Sequence, residues 1–170
     1  GGLLPTIRSR CQQVAMRPLS DAEMREVLGD QPGADAAIRL AGGRPRRGYE
    51  ALKLGGDKGL ADLLAWLEAP GARPSAVHLA VADSLAADKD GAAYAFAKEM
   101  LGNWIAAEAT AAAKSGAKPR LASAQGLWDK ATALFADAET YNLDARQTLV
   151  SLMDAIRRHA QTHLVTAEAR

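Results

Sequence analysis

Ser20-Asp21-Ala22-Glu23-Met24-Arg25-Glu26-Val27-Leu28-Gly29 begins with a serine three residues ahead of a glutamate. At that spacing each side chain satisfies the other's backbone N–H, which is the capping box of a helix start. A helix is therefore expected from Ser20, with Met24, Val27 and Leu28 on one face and Gly29-Asp30-Gln31-Pro32-Gly33 as its stop. Downstream, a second short helix is expected over 34–41, closed by Gly42-Gly43, and a third over 45–54, closed by Gly55-Gly56. Upstream, residues 4–14 carry apolar anchors without helical spacing, and a turn followed by a short strand near 11–15 is expected there.

Beyond Gly55-Gly56 the helices lengthen, so the second domain is expected to begin near Asp57. Leu60, Leu63, Leu64 and Leu67 mark one amphipathic stripe, ended by Ala69-Pro70-Gly71, and Val77, Val81, Ser84 and Leu85 mark another. A long helix over 91–114 faces Ala97, Met100, Leu101, Trp104 and Ile105 inward and breaks at Ser115-Gly116-Ala117-Lys118-Pro119. Leu127, Ala131, Leu134, Phe135 and Ala138 define the next. Leu149, Leu152, Met153, Ile156 and Ala160 define the last, with Asn142 or Asp144 as its N-cap. The pattern predicts an all-α protein: three short helices, then a five-helix bundle packed closely through alanine.

Composition agrees, since the 170 residues include 38 alanines but only eight aromatics and ten Ile plus Val, a helix former's inventory. Nothing approaches the roughly 18 continuous apolar residues of a membrane span, and no charged segment precedes an apolar one as in a secretory signal. The single cysteine, Cys11, can form no internal disulfide and no tetrahedral zinc site by itself, so a cytoplasmic location is expected and no metal. Residues 1–56 carry nine Lys/Arg against six Asp/Glu, and 57–170 carry twelve against fourteen, an asymmetry too weak to predict nucleic-acid wrapping. The chain opens Gly1-Gly2-Leu3-Leu4-Pro5 without methionine and reads as a piece of something longer.

Chemistry is sparse. No phosphate-cradling Gly-x-x-x-x-Gly-Lys-Ser/Thr occurs, and Leu54-Gly55-Gly56-Asp57-Lys58-Gly59 has neither that spacing nor the hydroxyl. His159 and His163 stand four apart, but Ala160 occupies the place of a metalloprotease glutamate, and the pair reads as two polar residues on the exposed end of a final helix. His78, Cys11 and the serines form no nucleophile–base pair in sequence. Arg44-Pro45-Arg46-Arg47 opens a helix with three cations, which the positive helix N-terminus disfavours; either an anion or acidic partner lies nearby or the face is solvated.

Thr6-Ile7-Arg8-Ser9-Arg10-Cys11-Gln12, preceded by Leu4-Pro5, resembles the Ser-Arg-Cys motif of AAA+ clamp-loader subunits. Ala41-Gly42-Gly43-Arg44-Pro45-Arg46-Arg47 resembles the Gly-x-Pro-x-Arg phrase of the delta-prime subunits of bacterial DNA polymerase III, with Pro45 as the distinguishing residue and Gly48-Tyr49 departing from the pattern. Tyr141-Asn142-Leu143-Asp144 resembles the phrase before that family's last helix. The resemblance implies that residues 1–16 are the tail of the ATPase-like module, 17–56 a three-helix AAA+ lid and 57–170 a helical collar that holds the oligomer together.

It also implies a role: a non-hydrolysing stator in a five-membered ring that loads the sliding clamp onto primed DNA, as a subunit of the DNA polymerase III holoenzyme. Its partners would be the gamma/tau and delta subunits, the clamp and, through the complex, primed DNA, with no membrane. The resemblance makes Arg10 an arginine finger supplied in trans to ATP on a neighbouring subunit, with Ser9 and Cys11 positioning it. No cofactor is expected on this chain, which is not expected to be an enzyme by itself. Arg8, Arg44, Arg46 and Arg47 are candidates for phosphate or partner contact. The alternatives are a gamma/tau-type ATP-hydrolysing subunit, which would share Ser9-Arg10-Cys11, a helical interaction adaptor without AAA+ ancestry, and a nucleic-acid-binding helical domain, which the balanced charge disfavours.

Overall fold

The computed structural model describes residues 16–55 and 57–163, and among them every regular element is an α-helix. They are α1 (Asp21–Leu28), α2 (Ala34–Ala41), α3 (Pro45–Lys53), α4 (Lys58–Glu68), α5 (Ser75–Ala86), α6 (Ala92–Lys114), α7 (Lys118–Tyr141) and α8 (Ala145–His163). The chain parts into two compact units between Lys53 and Leu54. The strand expected over 11–15 lies outside the described residues.

The first unit is built from turn chemistry. Ser20 caps α1 as expected: its hydroxyl accepts from Glu23 N, and the Glu23 carboxylate accepts from Ser20 N at 2.8 Å. Arg17 then grips both oxygens of Glu23 at 2.6 and 2.8 Å. That bond, with the Ser20 bonds behind it, holds the exposed carboxyl down at about 2. Met24, Leu28, Ala37, Ile38, Ala41 and Ala51 close the core. Gly48 is where α3 meets α1, because a Cβ there would lie 2.7 Å from Leu28 Cδ1 and 3.0 Å from Met24 Cε. Val27, expected in the core, is 41% exposed; its carbonyl accepts from the Tyr49 hydroxyl at 2.9 Å.

In the second unit α4 packs on α5, α5 on α8, and α6, α7 and α8 pack in succession. Leu60, Leu63, Val81, Leu85, Leu101, Ile105, Leu127, Leu149, Leu152, Met153 and Ile156 are buried. Trp66, which the leucine stripe hid, is fully buried. On α5 the buried set is His78, Val81, Ala82 and Leu85, with Ser84 exposed and Val77 half-buried. The face is turned because His78 enters the core, its Nε2 2.9 Å from Asp154 Oδ1. Trp104 is half-buried, its ring N–H donating to Leu67 O at 3.1 Å, while Arg73 donates to Ala65 O at 3.1 Å. Two side chains thus satisfy last-turn carbonyls of α4 that have no helical partner.

Asp144 is the N-cap of α8, accepting from Gln147 N at 2.7 Å. Asn142 instead ends α7, at φ 50° in the left-handed region that asparagine tolerates. On α7 only Ala124, Leu127 and Ala131 are buried; Leu134, Phe135 and Ala138 of the expected stripe are half-buried.

Candidate functional site

Arg8, Ser9, Arg10 and Cys11 lie outside the described residues; the second cationic cluster, at the start of α3, is described in full. It is positioned by Gly42-Gly43, both at positive φ. Gly43 O accepts from Leu19 N at 2.8 Å, and a Cβ on Gly43 would stand 2.4 Å from Leu19 O and 2.8 Å from Pro18 Cβ. Only glycine fits so close to another backbone. The turn that delivers Arg44 is thereby fastened to Pro18-Leu19, eight and nine residues after Arg10 in the chain. Pro45 then starts α3, where its fixed φ suits the first helical position and its missing N–H costs nothing.

The three arginines do not share one surface. Arg44 and Arg46 are exposed, and Arg46 pairs with Glu50 one turn on at 2.9 Å; Arg47 is buried, at 7% exposure, among the residues that close the first unit. An exposed i, i+4 pair of this kind contributes little to stability, about 0.3–0.5 kcal/mol, so it leaves Arg46 available to exchange partners. Arg44 and Arg46 are the members of the cluster that solvent, or an anion, can reach.

The second unit holds a polar cluster that the sequence did not reveal. His159 is 3% exposed, which corrects its reading as a residue on an exposed helix end. Its Nδ1 lies 2.8 Å from Ser123 Oγ and its Nε2 3.4 Å from Glu108 Oε2. Arg120 donates to the same Glu108 oxygen from Nη2 at 2.7 Å and Nε at 3.0 Å. Trp104 stands edge-on to the imidazole, ring centroids 6.1 Å apart, and His163 lies at 5.1 Å. Burial pushes the His159 imidazole below its ordinary range, against the opposing hydrogen bond and charge of Glu108.

Hydroxyl, imidazole and carboxylate in line are the ingredients of nucleophilic catalysis, but the geometry opposes it. Glu108 is committed to Arg120, and the largely apolar trench between α6 and α7, about 340 Å³, is lined by Ile105, Ala106, Ala109, Ala124, Gln125, Trp128 and Asp129, and by neither Ser123 nor His159. The cluster ties helices together and borders no substrate-sized space there. No group of three metal-binding side chains occurs among the described residues, and none of their helices is long and apolar enough to cross a membrane. No family model matches the chain, and no curated protein or solved structure matches it.

Proposed function

We propose that this chain is the C-terminal part of a clamp-loader subunit of the delta-prime kind, acting as a non-hydrolysing stator in the cytoplasmic assembly that loads the sliding clamp onto primed DNA. The observation that carries the reading is one of order: Ser9-Arg10-Cys11 is followed by three short helices and then five longer ones, with Gly43-Arg44-Pro45 at the turn into the third. In this reading 17–56 is the lid and 57–170 the collar, whose exposed apolar side chains Trp128, Tyr141 and Leu143 offer contact to neighbouring subunits.

Arg10 is the residue that acts on chemistry. Phosphoryl transfer spreads negative charge over the γ-phosphate oxygens, and a guanidinium, permanently charged and able to bond two oxygens at once, stabilises it better than a lysine's point charge. Delivered across a subunit boundary, it couples hydrolysis on the neighbour to closure of the ring. Ser9 and Cys11 position it, and Arg8, Arg44 and Arg46 are the candidates for contact with phosphate or the neighbouring subunit, whereas Arg47, expected among them, is withdrawn from that role by its burial.

The test is an Arg10→Ala subunit carried in the full-length protein and reconstituted with gamma/tau and delta partners, clamp and primed DNA. The ring should assemble, while stimulated ATP hydrolysis at the adjoining site falls by roughly 10³-fold or more. Arg10→Lys should recover little of it. Unchanged hydrolysis and loading by the Arg10→Ala ring would reject the role.

A further inference from the structure

Among the described residues of the second unit the buried polar or charged residues are His78, Thr148 and His159, and all bear on α8: His78 through Asp154, the other two as residues of α8 itself. Where α8 meets α6 and α7, one carboxylate serves two nitrogen bases, because Oε2 of Glu108 receives both Arg120 and His159. A carboxylate only accepts, so Nε2 of His159 carries the ring proton and Nδ1 accepts from the Ser123 hydroxyl. In that neutral form both ring nitrogens are satisfied and the seam carries no net charge.

A second proton on the ring upsets both ends. Nδ1 becomes a donor, so the Ser123 hydroxyl must turn its own hydrogen away. The imidazolium also adds a positive charge where Glu108 of α6 is already balanced by Arg120 of α7, with His163 of α8 alongside. Among the described residues these three are the charged or titratable groups that act on the ring. At 3% exposure little water is left to screen the excess charge.

We propose that this seam is a proton-sensitive latch for α8: with His159 neutral the helix is docked on α6 and α7, and protonation of the buried imidazole, which sets a second cation on one carboxylate, loosens it. The latch is independent of the role in clamp loading. Its sign follows from linkage. The folded-state pKa of His159 lies below its ordinary value, so the stabilisation is fully present above about pH 6.5 and is lost as pH falls from there toward the folded value.

The test uses amide hydrogen exchange over residues 155–163 in the full chain, corrected for intrinsic rates, at about pH 7.5 and about pH 5.5. Opening of this stretch should rise several-fold at the lower pH in the wild type and stay constant in His159→Gln. Arg120→Met leaves Glu108 to compensate the imidazolium alone and should shrink the acid response. An unchanged wild type, or a His159→Gln protein with the same acid response, would overturn the latch. Should His159→Gln fail to fold, the ring's own titration by NMR decides: a midpoint below about 6.5 supports the latch, and one at or above it rejects it.

Discussion

Gly42 and Gly43 sit side by side at positive φ, yet the structure asks different things of them. At Gly42, φ 55°, an added Cβ meets nothing within 4 Å, so Gly42→Ala bears only the left-handed backbone cost, about 1 kcal/mol. At Gly43, φ 74°, the same methyl would stand 2.4 Å from Leu19 O, a backbone atom that cannot swing aside. Gly43→Ala should therefore destabilise the first unit by about 2–4 kcal/mol, read as loss of exchange protection in α1–α3, whereas Gly42→Asn should be nearly silent. Equal losses at the two positions would mean that the docking of Gly43 on Pro18-Leu19 is not what holds this turn. The Gly-Gly pair was legible in the sequence as a helix stop; its division of labour was not, because the atom that decides it belongs to Leu19, some two dozen positions earlier.

Single elements are legible in the sequence where their signals are local and illegible where the partner is distant. The Ser20–Glu23 box and the stops of α1 and α2 depend on residues within a turn of one another, and they appear where the spacing put them. His159 shows the opposite case: Ser123 and Glu108 lie 36 and 51 positions away, so no spacing rule could distinguish a buried histidine from an exposed one. Trp66, the partner of Trp104 and the turned face of α5 escaped for the same reason, since the core around Trp66, Leu67 O and Asp154 come from other helices. The sequence offers both Asn142 and Asp144 as the start of α8, and the structure separates them by function: Asp144 bonds Gln147 N, while Asn142 closes α7 and holds Lys89 Nζ at 2.7 Å. Asp144→Ala should then cost about 1 kcal/mol of stability. Asn142→Gly should cost little, because glycine adopts φ 50° freely. Urea unfolding of the two variants checks the order, and a larger loss in Asn142→Gly would return the cap to Asn142.

At the scale of the whole molecule, the second unit contains its own closed core, and α8 is the element that closes it. Leu149, Leu152, Met153 and Ile156 are all fully buried. At about 1.5–3 kcal/mol for each buried side chain, the four together are worth about 6–12 kcal/mol, which is comparable to the entire stability of a small domain, about 5–15 kcal/mol. Residues 54–170 by themselves should therefore fold, whereas 54–144, which keeps four of the five helices, should not. Fluorescence separates the two outcomes, because all three tryptophans lie in this unit and report different depths: Trp66 is fully buried, Trp104 half-buried and Trp128 half-exposed. The longer piece should emit to the blue and lose that emission in one cooperative urea transition. The shorter piece should emit as exposed indole at all urea concentrations, since without α8 the seam at Glu108 and the Asp154 partner of His78 are lost along with the apolar contacts. A cooperative transition in 54–144 would mean that α4–α7 form a core without α8, and the central place given to that helix would be wrong.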